Sequence, residues 1–382
     1  MAELPGQREQ SVQPGVLRSN LMGVDLLRGV AILMVLVYHA FTSEYGRYYK
    51  WKGLVAKLRF PNPESVLLYP VSFGWSAVAL FFVISGFCIH YSYLRNGSSI
   101  VWRDYAIRRF WRIYPAYLAA LLFFFGFGFF ATRFPQWANL GLHLTFFHNL
   151  FPQTLMAYNP SFWSLATEVQ FYLLYPLFLF LHGRVGIGRL LIGLLALSLL
   201  WRCGIYAMAG SPRSTLTNLT AMPMMSWVDW ALGAWVAERY YHGKKPLPRK
   251  ALWALLAVAG MVLASLTRPT LLFCFLFASV ASVFLLEWAL HRSFGRQWYW
   301  RILLFFGTVS YSLYLWHQPL FPVIRNYCGG HFHPALAWFL AFAAVVLAGW
   351  ISYRLIEAPG MSLGRRFTQK KPRATRETAA VR

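Results

Sequence analysis

Residues 21–42 read LMGVDLLRGVAILMVLVYHAFT, and this stretch decides the fold. It is long enough and apolar enough to cross a bilayer, which takes about 20 predominantly apolar residues. Yet it carries Asp25, Arg28 and His39. Ionisable groups inside a span are costly, so they mark function by default. Arg28 and His39 are eleven residues apart. In an α-helix, eleven steps return to within about 20° of the same direction and rise about 16 Å. The two side chains therefore share one face at two depths. Asp25, one turn before Arg28, is placed to pair with it. The plainer alternative is that Arg28 only answers Asp25 and His39 caps the helix end near water.

The rest of the chain supports a membrane setting. It has 382 residues, of which 58% are hydrophobic, 19% aromatic and only 13% charged. Soluble domains carry about a quarter charged residues. The spacing predicts an all-α integral membrane bundle of ten transmembrane helices: 21–42, 74–94, 113–131, 161–181, 190–209, 222–240, 251–266, 271–290, 302–323 and 334–356. With the N-terminus inside, 24 of the 36 Lys and Arg fall on cytoplasmic segments and 9 on outer ones. The positive-inside rule then puts both termini in the cytoplasm. The organisation is a cytoplasmic segment 1–20, a transmembrane domain 21–358 and a basic tail 359–382. The apolar run from Leu21 reads as a retained first helix, not a cleaved signal. The outer loops 43–73 and 132–160 are the longest, and the first holds five basic residues.

The net charge of +24 is spread over short loops, so it reads as a topology signal, not a nucleic-acid surface. Cys88, Cys203, Cys274 and Cys328 show no metal or disulfide spacing, and no metal is expected. GxSxG, P-loop and HExxH motifs are missing, which argues against a serine hydrolase or a metalloprotease. Other polar groups do stand out. Arg109 and Arg112 share a face among Arg103 and Arg108, either as topology charge or as guanidinium forks for a phosphate. Glu168 follows Trp163 on a helix entering from outside, about 10 Å below its outer end. His39 lies about 5 Å below its own outer end, so a His and a carboxylate reach similar depth. His317 approaches the outer half on a later helix, and Arg202 and Asp229 are further buried charges.

In this order the motifs resemble those of the acyltransferase-3 family of membrane O-acyltransferases, over roughly residues 20 to 360. The likeness rests on Asp25-Leu26-Leu27-Arg28-Gly29 with His39, on Phe81-Phe82-Val83-Ile84-Ser85-Gly86-Phe87 and on Arg109-Phe110-Trp111-Arg112. It continues in Trp163-Ser164-Leu165 with Glu168 and Phe171-Tyr172, in Ser310 through His317, and in Glu357-Ala358-Pro359. The resemblance implies an acyl-coenzyme A donor, usually acetyl-CoA, used as a substrate and not kept as a bound cofactor. It also implies a carbohydrate hydroxyl acceptor, such as O-antigen, exopolysaccharide or a lipid-linked glycan, and a requirement for Arg28 and His39. Some members carry an esterase-like domain after the last helix. This chain is expected to lack one and to transfer directly.

The expected mechanism joins both readings. Arg109 and Arg112 take the CoA phosphates at the cytoplasmic mouth, and Arg28 holds the arm inside. His39 either takes the acceptor proton or first accepts the acyl group. Glu168 orients the imidazole or steadies its cation. Trp163, Tyr172, Ser310 and His317 shape the acceptor pocket. The expected setting is a bacterial inner membrane, with acyl-CoA, the glycan and lipids as partners and no nucleic acid. The competing class is a proton-coupled transporter of small molecules or glycans. It usually shows internal repeats, and none is visible.

Overall fold

The structure, a computed structural model, describes residues 14–45, 69–128, 134–208, 217–266 and 268–368. Among these residues every regular element is helical. The longer helices are α1 (Pro14–Tyr45), α2 (Ala77–Arg95), α3 (Trp102–Gly126), α4 (Gln136–Leu144), α5 (Phe162–Met208) and α6 (Pro223–Tyr241). They continue with α7 (Lys250–Ala264), α8 (Cys274–Leu290), α9 (Trp298–Thr308), α10 (Ser310–Gly329), α11 (Pro334–Ser352) and α12 (Ala358–Thr368). Helix closes every backbone hydrogen bond within its own segment, which is what an apolar chain needs where water is excluded.

Five described segments are long and apolar enough to cross a membrane: Leu21–Thr42, Pro70–Arg95, Phe162–Met208, Thr270–Leu290 and Pro334–Thr368. The other expected spans are helical too, but shorter, more polar or joined end to end. Three boundaries differ from the sequence reading. The expected break at 182–189 shrinks to Gly186, whose φ of 73° and ψ of 162° interrupt α5. Only a residue without Cβ adopts that conformation at no cost. The expected span 302–323 is two helices, α9 and α10, separated at Val309. The expected outer loop 132–160 holds α4 and a 3-10 turn, His148–Leu150. Most of the loop 43–73, and the tail beyond Thr368, lie outside the described residues.

The chain divides into two compact units, residues 1–95 with 174–310 and residues 96–173 with 311–382. In the first unit, α2 and α6 cross at glycines. A Cβ on Gly86 would run into the Trp230 carbonyl, and one on Gly233 into that of Val83. Helices α1 and α9 cross in the same way, where a Cβ on Gly29 would meet the Leu303 carbonyl and one on Gly307 that of Asp25. Close backbone approach at small residues is how helices associate when lipid is as apolar as their side chains.

The second unit is built on aromatic packing. Tyr117, Phe124, Phe162 and Leu315 are fully buried in one cluster with Ala116, Ala120 and Ala166. Tyr117 stacks on Phe146 at 4.3 Å and donates from its hydroxyl to the His143 carbonyl at 2.9 Å. After α11, the residues Tyr353–Glu357 form a π-turn before α12. Such turns re-aim side chains and recur at functional sites.

Candidate functional site

In the first unit, α1 is unbroken from Pro14 to Tyr45. Arg28 and His39 therefore stand on one helix with the spacing the sequence requires, about 16 Å along its axis. Arg28 Nη1 bonds Asp25 Oδ1 at 2.8 Å, as expected. Its Nη2 also reaches the Cys88 thiol on α2 at 3.4 Å. Cys88, which shows no metal or disulfide spacing in the sequence, is thus a neighbour of Arg28. The crossing at Gly29 and Gly307 fixes this turn of α1 against α9. His39 is half-buried, with its ring edge-on to Tyr38 at 4.9 Å. Gly74 lets the 3-10 segment Tyr69–Ser76 close on Tyr38 and the Met34 carbonyl. Ser310 ends this unit, and its hydroxyl donates to the Gly307 carbonyl at 2.8 Å. Arg202 and Asp229 are fully buried and electrostatically coupled, and Arg202 also donates to Ser198, Leu272 and Met225.

In the second unit, two motifs meet at Glu357, which is 1% exposed. Ser312 Oγ donates to its Oε2 at 2.7 Å, and Arg112 Nη1 lies 3.8 Å from Oε1. Arg112 also reaches the Met361 sulfur at 2.7 Å. The Arg112 side chain is 36% exposed, so a guanidinium with five donors still faces solvent. Arg109 is held differently. Its guanidinium lies over the rings of Tyr105, at 5.8 Å, and Tyr172, at 5.5 Å. The Tyr172 hydroxyl donates to Glu168 Oε1 at 2.6 Å. One aromatic ring thus joins the arginine motif of α3 to the carboxylate of α5.

Helix α10 is tied in by the same kind of bond. Ser164 and Tyr314 hydroxyls are 2.6 Å apart, Asn159 Nδ2 donates to the Leu315 carbonyl at 2.7 Å, and Tyr311 donates to the Ile113 carbonyl at 2.8 Å. His317 is buried, with Nδ1 donating to the Tyr314 carbonyl at 2.8 Å. Trp163 is partly exposed in the first turn of α5. His39 belongs to the first unit and Glu168 to the second.

Three features escaped the sequence reading. Glu357 appeared there only as part of a motif, without a role. His143 of α4 and His148 of the 3-10 turn stack nearly parallel with centroids 3.9 Å apart. Burial pushes the His143 imidazole down to about 4 and His148 well below its ordinary range. In the first unit His90, His182 and Glu238 come together. Their sequence separations leave no local pattern to find.

The acyltransferase-domain family matches this chain over residues 22–354. The chain is 25% identical over 351 residues to a putative peptidoglycan O-acetyltransferase, YrhL, of Bacillus subtilis, covering 80% of this chain and 54% of that protein. It is also 25% identical over 365 residues to the peptidoglycan O-acetyltransferase OatA of Listeria monocytogenes, covering 83% and 57%. A putative O-acetyltransferase of Staphylococcus aureus strain COL is 23% identical, covering 88% and 56%. The chain thus spans a little over half the length of these relatives. No solved structure matches it.

Proposed function

This chain belongs to the acyltransferase-3 family, and on that premise we propose that it is a membrane enzyme moving an acetyl group from cytosolic acetyl-CoA to a hydroxyl of a cell-envelope glycan. The observation that carries the reading is the unbroken α1, with Arg28 and His39 on one face about 16 Å apart in depth. The relatives named for peptidoglycan put a peptidoglycan-type acceptor first. They also favour transfer chemistry over the transporter reading. The topology that fits is ten spans in a bacterial inner membrane with both termini inside, supported by the 24-to-9 charge bias.

Arg109 and Arg112 bind the CoA phosphates, and Arg28 steadies the arm. His39 takes the proton from the acceptor hydroxyl as its oxygen attacks the thioester carbonyl. The C–S bond breaks, and the departing CoA thiolate takes up a proton. Glu168, held by Tyr172, steadies positive charge during transfer. Trp163 and His317, both of the second unit, are assigned to the acceptor, and so is Ser310 of the first. Radiolabelled acetyl-CoA given to vesicles holding the purified protein tests this reading. Label should pass to a glycan acceptor with the native protein and not with His39→Ala. Full transfer by a correctly inserted His39→Ala protein would refute the assignment.

A further inference from the structure

Three polar groups of the first unit take no part in that chemistry. They are His90 on α2, His182 on α5 and Glu238 on α6. Glu238 Oε1 lies 2.6 Å from His182 Nε2 and 3.3 Å from His90 Nε2. All three donor atoms lie within 4.8 Å of one another. His90 is fully buried, whereas the side chains of His182 and Glu238 are 24% and 17% exposed. We propose that His90, His182 and Glu238 form a divalent transition-metal site, suited to zinc, with one coordination position left open to water.

The donor set selects the ion. Two imidazole nitrogens and one carboxylate suit zinc, whereas magnesium and calcium prefer oxygen alone. Tetrahedral donors about 2.1 Å from zinc stand about 3.4 Å apart. The 2.6 and 3.3 Å separations here reach that spacing with small side-chain shifts. A partner behind the ring supports the same reading. His90 Nδ1 is 3.1 Å from the Tyr175 hydroxyl, which fixes the ring with Nε2 toward Glu238. Metal-bound histidines are held from behind in this way. Phe178 lies parallel to the His182 ring, at 9°, and edge-on to that of His90, at 82°.

The backbone supports the placement. Gly86 and Gly233 bring α2 and α6 into contact, and His90 and Glu238 follow them by four and five residues. The neighbouring cation, Arg239, is turned to Glu287 at 3.2 Å, so it does not compensate Glu238. A bound ion would clamp three helices far apart in sequence, with the two partly exposed ligands as its route in. The simpler arrangement is a carboxylate that accepts two imidazole N–H bonds and binds no metal.

Metal uptake separates the two. Tag-free, full-length protein in detergent is stripped with a chelator and titrated with zinc against a chromophoric competitor. Native protein should take up one zinc per chain saturably. Cobalt in its place should give the visible spectrum of a four-coordinate nitrogen and oxygen site. The double variant His182→Gln, Glu238→Gln should lose that equivalent, and Tyr175→Phe should bind about tenfold more weakly. No saturable uptake by the native protein, or equal uptake by the double variant, overturns the proposal. Should the double variant fail to insert, the native cobalt spectrum decides, because a spectrum of the hydrated ion alone refutes the site.

Discussion

Arg112 has been given two tasks, pairing with Glu357 and binding CoA phosphate, and a double-mutant cycle separates them. The charges stand 3.8 Å apart. At that distance two unit charges attract by about 1 kcal/mol in water and about 4 kcal/mol at an effective dielectric near 20. Arg112 is 36% exposed, so solvent screens part of this and about 2 kcal/mol is expected. Arg112→Ala removes the attraction and leaves the carboxylate of Glu357, 1% exposed and accepting from Ser312, without this cation. Glu357→Gln keeps the shape and the Ser312 contact while removing the charge. The double variant should therefore be more stable than Arg112→Ala alone, with a coupling energy of about 2 kcal/mol. Reversible unfolding in mixed micelles reads the stability, and calorimetric titration reads CoA affinity. The affinity should stay weak in both Arg112 variants, because the lost phosphate donor is not replaced. A coupling energy of zero refutes the pairing. Recovery of CoA affinity together with stability refutes the phosphate role and leaves Arg112 a structural cation.

Other outcomes follow from particular contacts. Gly86→Ala places a Cβ against the Trp230 carbonyl, so it should destabilise by about 1–3 kcal/mol, read by thermal unfolding. Normal stability would mean that the α2–α6 crossing is looser than described. His143 is held neutral down to about pH 4, and an unfolded imidazole has a pKa near 6.5. Its folded pKa is thus lowered, so its stabilisation is present above about 6.5 and is lost as pH falls toward 4. That loss is on the order of 3 kcal/mol, and a His143→Gln variant should show a shallower acid limb in pH-dependent unfolding. Tyr172→Phe removes the 2.6 Å bond to Glu168 but keeps the ring beneath Arg109. It should lower the acetyl-transfer rate and shift its pH profile while leaving CoA affinity unchanged, and a matching loss in CoA binding would contradict the division of roles.

Much of the candidate site was legible because its residues break local rules. Arg28 and His39 are visible as polar interruptions of an apolar helix, and their shared face follows from helical period alone. Arg109 and Arg112 are visible as a forked pair. Glu357 was visible only as a motif, because its partners, Ser312 and Arg112, lie 45 and 245 residues away in the chain. The His90 group was not visible at all. Each of its members looks like an ordinary polar residue of its own segment.

The sequence by itself determined that the protein is helical and membrane-bound, because hydropathy and spacing act within one segment. It also determined which face of α1 carries charge. Only the tertiary structure decided where helices break, since Gly186 and Val309 act through backbone geometry that hydropathy does not record. The tertiary structure also decided which polar groups meet. Helix crossings at Gly86 with Gly233, and at Gly29 with Gly307, bring backbones close. What stands beside those crossings is fixed by the packing of distant segments. In Leu21–Thr42 the contrast is plain: the sequence put Arg28 and His39 on one face, and the packing supplied Cys88, Gly307 and the 3-10 segment around them.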